Sequence, residues 1–549
     1  MKRSIPLNRP QVFPSDWKDT FAGLPTPVLT EENLTRSYWM DDEFYSKYNL
    51  NVNTKALVYA VMNAFNVTSP IPEIVHKGSG SFNSVFCITF PASTADGSRF
   101  RVAARIPKKI ARAPGRIESI VAMTSIAHYI KGIPAPEVYA WYPESDNPVG
   151  APYMLMEWVD GIEPWEQWHR YTKAEKTWFM EQLVDYHVKF AEPLLFTGMG
   201  SVYFAKTDIG RDLPLDEISS YRLGPLSRGP TCTVHRGIFT WPQTTPTSLR
   251  QFWVELWQHE IDYITSTHGT DGSTTIATED HPSQSIQEDI TLGEFLKVAD
   301  AVRVLIDQCE LPSPEEHADL YAPSVVTTDY AFRNIKINPE TRQITSFIDW
   351  DDVYVMPFLL GSRYPEDICF YEGSGERWHK TGAFSFLPID EEGDIPEEEE
   401  VVDVKVEEVD QEVEATTNAD ESISDVEHDI PPPSKTPSEA TGDSVSETES
   451  EDEPFEPFEP ADQPLSMEPD TEDYDFPRRV RDTRLRREYE ELLTGRDARF
   501  GFEGFWKMRE DPLKIQHLVT HGWTEWLSKA EWIQDRAKEM HIWQAFNVK

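Results

Sequence analysis

Blocks of alternating and of helically spaced apolar residues divide the chain. Thr54–Phe65 carries its apolar positions at helical spacing and predicts a helix ahead of the first strands, packed over one lobe. Ile71–Phe90 reads as a strand, a small-residue turn and a second strand, and Arg99–Ile106 as an alternating strand entered through the Asp96-Gly97 turn. Arg116–Ile130 has the helical period until Gly132-Ile133-Pro134-Ala135-Pro136 breaks it, and Ala151–Trp158 is a short apolar strand. Past Gly161 helices dominate, at Glu175–Phe190, Leu249–Thr265 and Thr291–Cys309, with a polar loop at Ser266–Gln287. Alternation returns in Val325–Pro357: Ile335 and Ile337, the turn Asn338-Pro339-Glu340, and Ile344 to Ile348 predict a hairpin. Leu485, Tyr489, Leu492 and Leu493, followed by Phe505, Trp523, Trp526 and Trp532, predict terminal helices that pack back on the rest.

Charge changes this picture at one place. The 549 residues carry a formal net charge of −44, but residues 390–475 alone hold 34 Asp and Glu against two Lys, so −32 of it sits there. That stretch has few apolar residues and cannot offset the entropy of ordering, so it is expected to be disordered. Its Ser446–Glu453 run suits acidophilic phosphorylation, with a solvating insert as the plainer role, and a protein partner is one use of such a segment. The mildly acidic remainder argues against duplex nucleic acid as a partner. Four scattered Cys form no C-x-x-C pair, which points to reduced thiols and away from zinc or a disulfide framework. Neither a secretory leader nor a long apolar run is read, so a cytosolic chain with no membrane partner is expected.

Chemistry concentrates at the predicted hairpin. Two strands flanking its turn would bring Asp329, Asn334 and Asp349 to neighbouring ends. Such a rim suits Mg²⁺-dependent phosphoryl transfer: one carboxylate orients the attacking hydroxyl, while an amide and a second carboxylate hold a hard cation. Asp and Asn are also common turn residues. Upstream, Gly78, Ser79, Gly80 and Ser81 allow backbone amides to approach phosphate oxygens, and Val102-Ala103-Ala104-Arg105 ends in a cation on a strand.

The series TTDYAFRN, FIDWDD and a following Pro resembles the catalytic loop and metal motif of the aminoglycoside phosphotransferase-like kinases, their fungal members in particular. The resemblance spans roughly residues 71–375. It implies an α+β, two-lobed protein-kinase-like fold: a small antiparallel sheet in the N-lobe (71–158) and a mainly helical C-lobe (159–389). Outside these lie an N-terminal extension (1–70), the acidic segment (390–475) and C-terminal helices on the C-lobe (476–549). It further implies an ATP- and Mg²⁺-dependent phosphotransferase acting on a small-molecule hydroxyl. Asp329 would be the catalytic base and Asn334 and Asp349 the metal ligands. Gly78, Ser79, Gly80, Ser81 and Asn83 would form the phosphate loop, with Arg105 on the α- and β-phosphates and Glu118 facing and positioning Arg105. The Glu157 carbonyl and Val159 amide would meet adenine. The chain departs from the family at Thr327, where His is usual, at Arg105 for Lys, and at Asn83 for Gly. These departures fit a second reading, a pseudokinase that binds nucleotide or a protein partner with little transfer. The acidic residues Asp351 and Asp352 lie close enough to lend charge to the site, with solvated turn acids as the plainer reading.

Overall fold

The computed structural model describes residues 9–10, 29–31, 52–368 and 476–547, apart from 69, 81, 94–98, 109–110, 206–213, 228–244, 277–289, 328, 362–364, 366 and 503–504. The acidic stretch at 390–475 lies outside the described residues. In chain order the first lobe contains β1 (Arg9–Pro10), β2 (Leu29–Glu31), α1 (Thr54–Ala64), β3 (Glu73–Ser79), β4 (Asn83–Ser93), β5 (Arg99–Pro107), α2 (Arg116–Ser125), β6 (Val138–Tyr142) and β7 (Tyr153–Glu157). Its sheet runs β1-β6-β7-β5-β4-β3-β2. The five inner strands are antiparallel, as the resemblance implies, and the two edge strands add in parallel. Helix α1 starts where the Asn53 side chain accepts the Ala56 N–H at 3.1 Å. It buries Leu57, Val58 and Val61 against Ile88, Val102 and Leu155 of the sheet. Phe65 closes that layer edge-to-face on Phe90, Phe100 and Tyr139, with centroids 5.2–5.8 Å apart.

Helix α2 is shorter than the helical period suggests, because the chain widens into a π turn over Ile126–Ile130, where the Lys131 N–H reaches back to the Ile126 carbonyl at 2.9 Å. The Thr124 and Ser125 hydroxyls each donate to the carbonyl four residues back at 2.7 Å, and Gly132, at φ +60°, ends the turn.

The second lobe comprises α3 (Lys173–Ala191), β8 (Ser201–Phe204), β9 (Tyr221–Gly224), α4 (Leu249–His268), β10 (Thr275–Ile276), β11 (Ile290–Thr291), α5 (Leu292–Gln308), β12 (Pro323–Val326), β13 (Ile335–Ile337), β14 (Ile344–Phe347), β15 (Tyr354–Pro357) and α6 (Phe358–Gly361). Thr172 with Glu175, and Thr291 with Glu294, form capping boxes that set the starts of α3 and α5. After the acidic stretch come α7 (Phe476–Arg496), α8 (Phe505–Met508), α9 (Glu510–His521), α10 (Trp523–Ser528) and α11 (Ala530–Asn547). These share one apolar core with α3, α4 and α5. Trp253 of α4 donates its indole N–H to Gln516 at 2.7 Å, and Trp526 stacks on Phe295 of α5 with centroids 6.1 Å apart. Among the described residues no helix is long and apolar enough to cross a membrane.

Buried His187 of α3 meets the Tyr489 hydroxyl of α7 at 3.0 Å. With the proton on Nδ1, the network runs in one direction: His187 donates to Tyr489, Tyr489 to Tyr330, and Tyr330 to the Leu183 carbonyl at 3.2 Å. Burial, with the Arg509 guanidinium nearby and only Asp497 opposing, pushes the imidazole down to about 3. A histidine whose folded value lies below its unfolded one stabilises the protein above the unfolded value, and that contribution is lost as pH falls towards the folded value. Between about pH 6.5 and 3 the unfolded chain therefore binds one extra proton here, about 1.4 kcal/mol per pH unit. Urea titrations at pH 7, 6 and 5 are expected to show His187→Asn less stable at pH 7 but with the shallower loss on acidification. Parallel slopes would contradict this role for His187.

Candidate active site

The hairpin β13–β14 turns at Asn338, whose side-chain oxygen accepts the Glu340 and Thr341 N–H groups at 2.8 and 2.9 Å. Its open end carries the chemistry. Asn334 donates its amide N–H to the Asp329 carbonyl at 3.0 Å, and its own carbonyl accepts the Ile348 N–H at 2.8 Å. These two bonds fix the loop 329–334 to the strand that delivers Asp349. A third comes from the Phe332 N–H, which donates to Asp367 at 2.6 Å. Beneath the loop, Tyr330 is held by Leu183 and by Tyr489, so a residue of the last helical segment props the segment that bears Asp329.

Asp329, Asn334 and Asp349 line one cleft, together with Thr327, Ile348 and Asp351. The predicted rim is therefore assembled. Asp329 is paired with Arg333, and the two side chains are 39% and 53% exposed, so the pair is weak and open to displacement. Asp349 stands at φ +61° and Asp352 at φ +57°, left-handed backbone that Asp tolerates better than most residues and that costs energy to hold.

A cation approaches from the first lobe. Arg105 at the end of β5 is 8% exposed in its side chain and contacts Asp349 at 2.6 Å and Asp351 at 2.9 Å. Arg116 at the start of α2 contacts Asp352 at 2.9 Å and Asp351 at 3.5 Å. Asn83 donates its amide N–H to Asp351 at 2.8 Å. Two buried guanidiniums thus face three carboxylates. Burial alone would raise Asp351, but Arg105 and Arg116 outweigh it and hold the carboxyl below its ordinary value. Asp349 differs. Although 40% of its side chain faces the open cleft, loss of hydration raises its carboxyl, Arg105 opposes this, and Asp351 and Asp329 add like charge.

Two sequence expectations need correction here. Glu118 does not face Arg105: its carboxylate accepts the Phe204 N–H of β8 at 3.1 Å, and burial raises it above its usual range. The helical period turns Glu118 towards the second lobe, while Arg116, two residues earlier, faces the acids. Nor are Asp351 and Asp352 solvated turn acids, since their side chains are 11% and 20% exposed. The pair of acids that follows Trp350 was the available signal, and Arg116 beside Gly115 was its complement.

The small-residue turn joins β3 to β4, with the Gly80 N–H donating to the Asn83 carbonyl at 2.9 Å. Neither Gly78 nor Gly80 has a left-handed φ, and a Cβ added to either would meet nothing within 4 Å. The fold therefore does not demand glycine at these positions, and the space beside them is open. Ser79 packs its hydroxyl on Ser84 and His76, while Ser81 lies outside the described residues. At the end of β7 the Glu157 N–H is taken by the Glu137 carbonyl at 2.8 Å. Val159 comes two residues later, half-buried, at the start of the linker to the second lobe. That linker is pinned at Gly161, φ +132°, where a Cβ would come within 2.5 Å of the Ile337 carbonyl.

A hard divalent cation fits these residues. Asp349 offers a carboxylate to the cleft and Asn334, with its N–H groups turned to the loop, offers an amide oxygen. Two protein oxygens suit Mg²⁺, which keeps its other positions for water and phosphate. Among the described residues no group of three or more His, Cys, Asp and Glu could hold a metal by itself.

Fold and site together define a two-lobed architecture, one lobe built on a sheet and the other mainly helical, with its acids at the lobe junction. Solved structures similar to the chain include an aminoglycoside phosphotransferase with ADP and hygromycin B (12% identity, TM-score 0.31, 56% of this chain and 74% of that one). A Plasmodium vivax ethanolamine kinase is also similar (14%, TM-score 0.32, 61% and 75%). Curated relatives include a subtelomeric hrmA-associated cluster protein of Aspergillus fumigatus, 27% identical over 338 residues, 55% of this chain and 62% of that one. Another is the altered inheritance of mitochondria protein 9 of Meyerozyma guilliermondii, 23% identical over 279 residues, 47% of this chain and 44% of that one. The chain thus spans less than two thirds of each of these relatives. No family model matches it.

Proposed function

We propose that the protein is an ATP- and Mg²⁺-dependent phosphotransferase acting on the hydroxyl of a small molecule. The observation that carries this reading is the convergence of Asp329, Asn334 and Asp349 on one cleft with buried Arg105 above it. Arg105 neutralises phosphate charge, and the open side of Gly78 and Gly80 leaves backbone room for the phosphates. Asp349 and Asn334 would hold the cation, which would supply neutralisation of phosphate charge there. Asp349, paired with Arg105 at 2.6 Å, would have to give up that pairing to hold the cation. Asp329 leaves its exposed partner Arg333 and accepts the hydrogen bond of the acceptor hydroxyl, aligning it for in-line attack and taking its proton as the new O–P bond forms, while the bond from the γ-phosphorus to the bridging oxygen breaks and ADP leaves with that electron pair.

Mg²⁺-ATP is expected to raise the melting temperature, because a ligand present at 100 times its dissociation constant stabilises the native state by about 2.7 kcal/mol. Asp349→Ala is expected to remove most of the Mg²⁺-dependent part. A wild-type protein with no shift at millimolar Mg²⁺-ATP would overturn this reading.

A further inference from the structure

The side chain that holds Arg105 in place is not the helix carboxylate that the kinase-like pattern suggested. Three side chains of the first lobe converge on one carboxylate of the second: Asn83 from the end of the small-residue turn, Arg105 from β5 and Arg116 from α2 all reach Asp351. Glu118, the expected partner, is spent on the backbone of β8. Arg105 also hydrogen-bonds Asp349, but of the two acids lining the cleft Asp349 is the more exposed, 40% against 11%, and so is the one for which a cation would compete. Once Asp349 turns to a cation, Asp351 is the remaining carboxylate on Arg105. Its own second oxygen is engaged by Asn83 and Arg116, so it cannot follow Asp349 without breaking both contacts.

We propose that Asp351 is the positioning residue for the phosphate-binding Arg105, and that through Asn83 and Arg116 it also fixes the small-residue turn and α2 against the site. The inference rests on the reading that this cleft binds nucleotide. Polarity is inverted relative to the expected arrangement: α2 contributes a base, Arg116, and the acid comes from the turn after Asp349. Arg105 is thereby aimed only when the two lobes are together.

Nucleotide titration calorimetry tests this on the full chain, with ATP in Mg²⁺ and with ATP in EDTA. Asp351→Asn keeps the shape and removes the charge, and is expected to weaken ATP by about 10- to 100-fold, the scale of lost outer-shell partners. The loss is expected to be the same in both buffers, because it acts through Arg105 on phosphate. Glu118→Gln, which keeps its acceptor for Phe204, is expected to stay within about twofold of wild type. In an Arg105→Gln background, Asp351→Asn is expected to add less than about twofold, since a residue acting through Arg105 has nothing further to lose there. If Asp351→Asn fails to fold by circular dichroism, Asp351→Asn/Arg116→Gln removes one charge of each sign and is read the same way. A loss confined to the Mg²⁺ arm would make Asp351 a cation ligand and overturn the proposal. So would losses that multiply with Arg105→Gln, or a Glu118→Gln as weak as Asp351→Asn. Absence of ATP binding by the wild type would instead remove the nucleotide reading itself, and this proposal with it.

Discussion

Deleting residues 476–549 is expected to leave a chain that does not fold. The segment follows the acidic stretch and could pass for a separate module, but its side chains complete the core of the second lobe. Trp526 and Trp523 cover Phe295, Gln516 satisfies the buried Trp253 indole, and Phe500 and Phe505 cover Phe358. Uncovering Trp253, Phe295 and Phe358 forfeits about 1.5–3 kcal/mol for each. Such a loss approaches the about 5–15 kcal/mol of a whole native state. Polar costs add to this, because Glu260, fully buried, loses the Trp523 N–H that donates to it at 2.9 Å, and His187 loses Tyr489. The truncated chain is expected in the insoluble fraction, and Trp526→Ala in the full chain to cost about 3–5 kcal/mol in urea titration. A soluble truncation with a cooperative melt would show that the segment is dispensable.

Asp329→Asn is expected to lower phosphate transfer by about 10²- to 10⁴-fold, the range of a positioned acid–base group. Nucleotide affinity is expected to change little, since Asp329 pairs with Arg333 rather than with Arg105. The geometry of the loop survives the change, because its ties run through the Asp329 backbone carbonyl, Asn334 and Phe332 and not through the Asp329 carboxylate. A fall in kcat with KM for nucleotide unchanged is the expected pattern, measured as label transferred from ATP by each protein. An unchanged transfer rate in a variant that still binds nucleotide would assign the base elsewhere.

The hairpin at 335–347 was legible in the sequence because its period of two is interrupted by a turn chemistry that needs no tertiary help. The helices were legible for a similar reason, and their capping boxes are local as well. Asp329, Asn334 and Asp349 lie within 21 positions of each other, so the hairpin alone brings them together. What joins the lobes was not legible. Arg105 finds Asp349 across 244 positions and Asn83 finds Asp351 across 268, and no local period encodes which side chain of a helix faces a lobe hundreds of residues away. Glu118 fitted a helix register at the right distance from Arg105, yet the arrival of β8 against α2 gave its carboxylate a backbone N–H instead. The brace under Tyr330 spans a still longer separation, His187 to Tyr489 across 302 positions. Thr327 in place of the expected His is therefore compatible with an ordered loop, because the support comes from Tyr330, Asn334 and Phe332.

The central claim is that this cleft transfers the terminal phosphate of ATP. The most direct measurement incubates the wild type and Asp349→Ala with γ-labelled ATP and Mg²⁺, in the presence of a metabolite extract, and tracks label into organic phosphate and into free phosphate. Label is expected to appear in a new compound with the wild type, and to be lost with Asp349→Ala or with EDTA. Bound nucleotide with no label leaving ATP in any of these mixtures would contradict the claim and leave a nucleotide-binding pseudokinase.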